Sequence, residues 1–282
     1  MGAENRLRER LAAVDARSER LLVLYLTLGD PLLRDPCELA RVAADAGADL
    51  LELGIPTRGT RPRGDELASS FDRARDVRLP YVWGTLRAIR DAVPGTPLLP
   101  LVYPQTVGDI GADRLLASAA GYGADGLVLT APDHALPVHE VVSAGLAAIP
   151  LVRPENTLAE QVRLERAADL LTYRDLGHRS GVRLVPSLAR DLTARYARNA
   201  TRPFLVGFGI RDERDIRAVA PYASGVVIGS QLLRELRRSA PGDQLERLDA
   251  AVRRWKAATR LATDQPPADS QLVSAAVGEG CG

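Results

Sequence analysis

The chain has 282 residues, which is enough for two small domains or for one α/β barrel of about 250 residues. Its 37 basic and 36 acidic residues nearly cancel, so no overall attraction to nucleic acid or to a membrane surface is indicated. The cysteines, Cys37 and Cys281, are far apart and indicate neither a disulfide framework nor a zinc site. Residues 1–20 lack the apolar core of a signal peptide, and no long apolar run occurs. We expect a cytoplasmic protein with no metal, no cofactor, no membrane contact and no nucleic-acid partner.

The predicted elements begin with an amphipathic helix over residues 5–17, which carries Leu7, Leu11 and Val14 on one side. We expect this extra N-terminal helix to close the bottom of the fold. Short apolar, β-rich runs then alternate with helical periodicity. The runs span residues 21–27, 50–53, 98–103, 126–130, 149–152, 170–173, 204–207 and 225–228, and the helical segments span residues 36–46, 81–93, 112–121, 158–167 and 213–219. Eight strand and helix units predict a single parallel (β/α)8 TIM barrel over residues 1–262.

The composition changes after residue 262. Residues 263–282 are rich in small and polar residues and poor in large apolar ones. A segment of this kind buries too little apolar surface to offset its ordering entropy. We therefore predict a disordered C-terminal tail.

Glu52 ends the second apolar run, in Leu51-Glu52-Leu53-Gly54-Ile55-Pro56. Active sites of parallel barrels lie at the C-terminal ends of the strands, so this carboxyl group is expected at the mouth of the barrel. A lone glutamate in such a place is a candidate general acid/base. From position alone, a helix cap or an ion-pair partner is the commoner interpretation.

Glycines close the seventh and eighth runs, in Gly207-Phe208-Gly209-Ile210 and Gly229-Ser230. Glycine lets the backbone approach an anion closely, and the N–H groups at the start of the following helix attract negative charge. Barrels frequently bind phosphate after these two strands. Each motif alone also fits an ordinary tight turn, but together they predict a phosphate site at Gly209, Gly229 and Ser230.

With Leu24-Tyr25-Leu26-Thr27-Leu28-Gly29-Asp30-Pro31, these segments resemble the tryptophan synthase α subunit family over about residues 4–260. The resemblance implies cleavage of indole-3-glycerol phosphate to indole and glyceraldehyde 3-phosphate, with Glu52 as general acid/base. It also implies an indole pocket with walls at Tyr25, Tyr103 and Tyr173. A tyrosine at a strand end also packs in this way without any function.

The family pattern changes after Glu52. The family continues Phe-Ser-Asp-Pro-x-Ala-Asp-Gly-Pro, and its second aspartate accepts or orients the indole N–H proton. A gapless match puts Arg63 in that place, and a permanently cationic arginine cannot accept the proton. We therefore expect a divergent paralogue that does not carry out the housekeeping reaction unless Asp65 or Glu66 replaces the aspartate. His178, in the predicted lid, is another titratable candidate, although an exposed loop histidine is the commoner interpretation.

Two further loops depart from the family. After Arg179-Ser180-Gly181-Val182, Arg183 replaces the threonine that helps close the site, so lid closure is expected to differ. The third-strand loop reads Tyr103-Pro104-Gln105, where the family has a Tyr-x-Asn-Pro-like sequence that contributes to β-subunit docking. A standard β-subunit partner is therefore not expected.

Arginines collect at the predicted active face. They are Arg58, Arg61 and Arg63 after the second run, Arg153 after the fifth, Arg183 after the sixth and Arg211 after the seventh. In an arginine-rich chain some of this clustering is chance, and solvated surface arginines are common. Because guanidinium groups pair well with phosphate and carboxylate, the cluster favours a ligand with two anionic ends.

Three functional hypotheses remain open. The first is a tryptophan synthase α-like lyase of secondary metabolism that acts on a phosphorylated substrate by retro-aldol cleavage or a related elimination. The second is a barrel transferase or lyase that acts on a prenyl diphosphate, favoured by the extra arginines. The third is a catalytically silent barrel that binds a phosphorylated ligand and regulates a partner, which the loss of the family's aspartate and lid threonine favours.

Overall fold

The computed structural model describes residues 3–33, 35–132, 135–176 and 184–261. Eight parallel strands in these ranges close into a barrel in chain order, with β8 pairing back onto β1. The strands are β1 (Leu21–Thr27), β2 (Leu50–Gly54), β3 (Leu98–Val102), β4 (Gly126–Leu129), β5 (Ala147–Val152), β6 (Thr172–Asp175), β7 (Phe204–Gly207) and β8 (Gly225–Ile228). The predicted (β/α)8 TIM barrel is confirmed.

The helices of the described ranges surround the strands, apart from the first. They are α1 (Ala3–Ala16), α2 (Pro36–Ala46), α3 (Asp65–Ala74), α4 (Leu79–Ala92), α5 (Pro104–Ile110), α6 (Ala112–Gly121), α7 (Val138–Ser143), α8 (Leu158–Ala167), α9 (Pro186–Ala197), α10 (Glu213–Val219), α11 (Ser230–Arg238) and α12 (Gln244–Ala258). Local signals fix several of their ends. The Asp35 carboxylate accepts from the first N–H groups of α2, and Gly47 ends that helix in the left-handed conformation. Thr157 and Glu160 form a reciprocal capping box that starts α8.

The extra helix α1 closes the bottom of the barrel, as the sequence predicts. Its side chains Leu7, Leu11 and Val14 belong to the same buried cluster as the inward-facing residues of the strands. Arg6 adds a polar link, because its Nε donates to the Asp125 carboxylate at 2.6 Å. The lower end of the barrel is therefore sealed, and the opposite end is left for a site.

The Asp125 carboxylate joins three parts of this lower end. Besides Arg6, it accepts from Nη2 of Arg90 on α4 at 2.7 Å and from the backbone N–H of Leu98 at the start of β3 at 2.7 Å. The Asp125 side chain is fully buried, and the Arg90 side chain is 8% exposed. Because water reaches neither side chain freely, the Asp125 carboxylate and the Arg90 guanidinium group each stabilise the charge of the other.

β6 lies two residues later than its apolar run predicts, at Thr172–Asp175 instead of residues 170–173. The reason is Arg174, a strand residue whose charged side chain lies buried outside the barrel. It forms an ion pair with Glu165 on α8 and donates to Gln161 at 3.0 Å. The ion pair offsets the free-energy cost of burying the Arg174 guanidinium group. A charged residue can therefore lie within this strand, and hydropathy alone does not identify the strand.

Several predicted features fall outside the described residues. These are the C-terminal tail over residues 263–282, His178 and Arg183. Within the described ranges, no helix has the length and apolar character needed to cross a membrane. The same ranges hold no group of three or more His, Cys, Asp or Glu side chains arranged for a metal ion.

We predict that Asp125→Ala lowers the free energy of unfolding by about 3 kcal/mol, because it leaves the buried Arg90 guanidinium without its carboxylate. Urea unfolding followed by circular dichroism measures the loss. Asp249→Ala is the matched control, since it removes an exposed ion pair with Arg253 on the surface of α12 and is expected to change stability little. Equal losses in the two variants would contradict the structural role given to Asp125.

Candidate active site

A cavity of about 250 Å³ opens at the C-terminal end of the barrel, opposite α1. Its apolar lining comes mainly from the inner faces of the strands and from the turn after β7. The sequence-predicted residues that line it are Tyr25, Glu52, Arg61, Arg63, Tyr103, Tyr173, Gly209, Gly229 and Ser230. Fold topology thus brings the candidate acid/base, the aromatic walls and the glycine turns into one space.

Two predicted site residues are not placed against this cavity. Arg58 points outward, is 83% exposed and pairs with Asp76 at 3.3 Å. Asp65 is the exposed first residue of α3, a position where a carboxylate is favoured by the helix dipole. The neighbouring Glu66 pairs with Arg234 at 3.2 Å instead of filling the place of the family's aspartate. The expectation that Arg58 and Asp65 face the ligand is therefore not supported by their placement.

Glu52 is the buried carboxyl group of the cavity. It lies on β2 beside Tyr25 of β1, and only 4% of the residue is exposed. Its Oε1 atom has no hydrogen-bond partner among the residues that the structure describes. Burial raises the pKa of Glu52 to about 8 from an ordinary value of 4.5. At neutral pH this group is therefore mostly protonated and can donate a proton.

The Tyr25 hydroxyl belongs to a chain of buried hydroxyl groups. Ser70 Oγ donates to the Leu67 carbonyl at 2.9 Å, so its one proton is used there. Thr27 Oγ1, 2.7 Å from Ser70, must then donate to Ser70, and Tyr25, 3.0 Å from Thr27, must donate to Thr27. The Tyr25 proton is thus turned toward Thr27, and its oxygen keeps only acceptor capacity.

Tyr25 and Tyr173 each lie over a glycine of the next strand. A Cβ atom on Gly54 would lie 2.1 Å from the Tyr25 hydroxyl, and a Cβ atom on Gly207 would lie 2.1 Å from the Tyr173 hydroxyl. Burial raises the pKa of Tyr173 and of Tyr103. All three tyrosines therefore stay neutral and form the walls of the cavity.

The turns after β7 and β8 form the opposite side of the cavity. Phe208 and Gly209 both have positive φ angles, of 64° and 110°, which bend the chain sharply. Ser230 is the first residue of α11, and Gly229 precedes it. The first N–H groups of a helix lack intrahelical acceptors, so this end of α11 is a suitable place for a phosphate.

The charged lining of the cavity is mostly basic. Among the described residues, the lining arginines are Arg61, Arg63, Arg153, Arg211 and Arg234, and the lining acids are Glu52 and Asp175. Sequence reasoning missed Arg234 and Asp175, although each carried a positional signal. Arg234 lies four residues after Ser230 on α11, and Asp175 lies two residues after Tyr173 on β6, so each shares a face with a predicted site residue.

Comparison with known proteins decides the family. The family model for the tryptophan synthase alpha chain matches residues 11–260. The chain belongs to this family. The tryptophan synthase alpha chain of Burkholderia multivorans is 30% identical over 262 residues, which cover 90% of this chain and 96% of the relative. That of Laribacter hongkongensis is 33% identical, with 88% and 98% covered. A crystal structure of tryptophan synthase subunit alpha from Legionella pneumophila has a TM-score of 0.79 at 25% identity, covering 90% of this chain and 98% of that chain.

Within the tryptophan synthase alpha family pattern, the structure separates a retained feature from a changed one. Glu52 lies in the cavity together with the glycine turns, where the resemblance puts the family's glutamate. Arg63, which the gapless sequence match puts at the family's aspartate, lines the same cavity. The lining therefore carries a cation at that position of the sequence.

We predict that Glu52→Gln removes a pH dependence of stability. Because burial raises the folded pKa of Glu52 to about 8, unfolding releases a proton between pH 4.5 and that value, and the wild-type protein loses stability as the pH rises. Glutamine has no proton to release. The free energy of unfolding of the variant minus that of wild type should therefore increase with pH. The increase should reach on the order of 4 kcal/mol once the pH exceeds the folded pKa of Glu52.

Urea unfolding at about pH 5, 7 and 9 measures this difference. Glu246→Gln, at an exposed position on α12, is the matched control and should follow wild type at each pH. A stability difference between Glu52→Gln and wild type that stays constant with pH would contradict the raised pKa.

Proposed function

We propose that this member of the tryptophan synthase alpha family is a carbon–carbon lyase that cleaves a phosphorylated substrate by retro-aldol chemistry, with Glu52 as general acid/base. One observation carries the proposal. A buried carboxyl group whose Oε1 has no hydrogen-bond partner in the described part of the chain shares a cavity with the glycine turns after β7 and β8. The carboxyl group supplies the chemistry, and the turns supply a position for the phosphate.

A pKa near neutrality suits both halves of the reaction. As the carbon–carbon bond breaks, its electron pair passes to the leaving carbon, and the protonated Glu52 gives its proton to that carbon. The resulting Glu52 carboxylate takes the proton of the neighbouring hydroxyl as the carbonyl forms. Glu52 ends the cycle protonated, as it began, so no second acid or base is required by the proton balance.

Arg63 supports a substrate other than indole-3-glycerol phosphate. Protonation of the indole ring creates a cation, which the family's aspartate stabilises. The exposed guanidinium group of Arg63 at the mouth of the same cavity repels that cation and raises its free energy. The same guanidinium group stabilises a leaving carbon group that gathers negative charge.

The third-strand loop supports a site that works without the standard β subunit. Tyr103, Pro104 and Gln105 replace the family's docking sequence, and all three line the cavity. Pro104 also starts α5, so this segment is held as the first turn of a helix. Its residues contribute to the ligand site of this chain.

We predict that the wild-type protein releases indole from indole-3-glycerol phosphate slowly, and that Arg63→Asp raises kcat/KM for this reaction by at least about tenfold. The variant removes the repulsive cation and restores the acceptor of the family pattern. Arg58→Asp is the matched control, since it makes the same charge change outside the cavity and should leave the rate unchanged. Rapid indole release by wild type, or equal effects of the two variants, would contradict the role given to Arg63.

We also predict that adding Glu52→Gln to the Arg63→Asp protein abolishes indole release while glycerol 3-phosphate still binds, as measured by isothermal titration calorimetry. The glutamine keeps the shape of the carboxyl group but transfers no proton. Retained turnover in the double variant would exclude Glu52 as the general acid/base. If none of these proteins binds glycerol 3-phosphate, the phosphate site is excluded.

A further inference from the structure

The arginines of the cavity fall on two sides of the barrel mouth. Arg211 and Arg234 follow β7 and β8 and lie on the side of the glycine turns. Arg61 and Arg63 follow β2, and Arg153 follows β5. The second group includes cations that the phosphate at the glycine turns does not require.

Contacts direct two members of this second group, Arg61 and Arg153, toward β3 and β4. Arg153 Nη2 donates to the carbonyl of Thr130, directly after β4, at 2.6 Å. Arg153 also acts electrostatically on the hydroxyl of Tyr103, at the end of β3. Arg61 Nη1 donates to the carbonyl of Thr60 at 2.9 Å, and its charge acts on Asp109 of α5, the helix after β3.

The strand order puts β3 and β4 across the barrel from β7 and β8. Arg61 and Arg153 therefore lie across the cavity from Arg211 and Arg234, and Arg63, two residues after Arg61, lines the same mouth. Glu52, on β2, lies on the wall between them. A ligand that contacts both groups must extend across the mouth and pass beside the Glu52 carboxyl group.

The second group of arginines, Arg61, Arg63 and Arg153, also lacks salt-bridge partners among the described residues. In the described part of the chain, no carboxylate forms a salt bridge with Arg61, Arg63 or Arg153, whereas Arg234 on the other side is paired with Glu66. Arg153 is half-buried, so its charge is less well hydrated than that of a surface arginine. Cations held in a cavity without counter-charges favour an anionic ligand.

We propose that Arg63 and Arg153, supported by Arg61, form a second anion subsite that binds a carboxylate, and that the substrate is a phosphorylated carboxylic acid bound across the mouth. This inference rests on the proposed function, because it takes the glycine turns as the phosphate site. A carboxylate matches the planar guanidinium group and is smaller than a second phosphate, which suits a cavity of about 250 Å³. The rim of the barrel would thus select the length and the terminal charge of the substrate.

The test compares two matched series of probes by isothermal titration calorimetry with the full chain. One series is 3-phosphonopropionate, 4-phosphonobutyrate and 5-phosphonopentanoate, and the other is the alkylphosphonates of equal chain length without the carboxylate. The proteins are wild type, Arg63→Gln, Arg153→Gln and the control Arg58→Gln, whose residue is exposed and outside the cavity. Thermal unfolding checks that each variant is folded.

We expect that, for at least one chain length, the carboxylate strengthens binding by about tenfold or more. Arg63→Gln and Arg153→Gln should each remove most of that gain and leave alkylphosphonate binding within about twofold of wild type. Arg58→Gln should preserve the gain. Should Arg153→Gln fail to fold, the Arg63→Gln result alone decides the matter.

Failure of the inference and failure of the proposed function give different results. If alkylphosphonates bind and the carboxylate adds nothing, or if Arg58→Gln removes the gain as well, the second subsite is wrong and the phosphate site stands. If neither series binds, both are wrong. If alkane-bisphosphonates bind more tightly than the phosphonocarboxylates, the assignment to a carboxylate is overturned.

Discussion

Burial of the Glu52 carboxyl group without a compensating charge is the constraint on which the site depends. Desolvation raises its pKa, and no cation of the described rim offsets this rise. Four of the lining arginines lie on loops beyond the strand ends and Arg234 lies on α11, while Glu52 lies among strand residues. The barrel thus keeps a neutral, proton-bearing floor beneath a positively charged rim.

This separation determines which chemistry the cavity favours. The rim offers positive charges to an anionic ligand, and the Glu52 carboxyl group lies lower, where little of it is exposed to water. A positive rim stabilises anionic groups and destabilises cationic ones, and Arg63 belongs to that rim. The family's fold is retained, and the mouth of this cavity favours negative groups.

The sequence predicts most of this architecture because most strands are apolar and bounded by turn residues. It misplaces β6, because the charge of Arg174 is compensated by an ion pair with Glu165 on the preceding helix α8, and hydropathy does not register such a pair. It predicts Glu52 and the glycine turns well, since strand ends converge in a barrel. The sequence does not show that Arg63 lines the cavity while Arg58 faces solvent, because a loop has no periodicity that tells which side chain faces inward.

The direction in which each side chain of that loop points depends on tertiary contacts, such as the ion pair of Arg58 with Asp76. The same holds for the Tyr25 hydroxyl, whose proton is directed by Ser70 on α3. The residues involved are visible in the sequence, but their geometry is not.

The two tyrosines that lie over glycines limit how this barrel can diversify. A methyl group on Gly54 or Gly207 would collide with a phenol of the preceding strand, so neither glycine can gain a side chain while its tyrosine is present. Single changes in the loops meet no such restriction and leave the floor intact. Variation among relatives of this barrel is therefore expected at its rim and not at its floor.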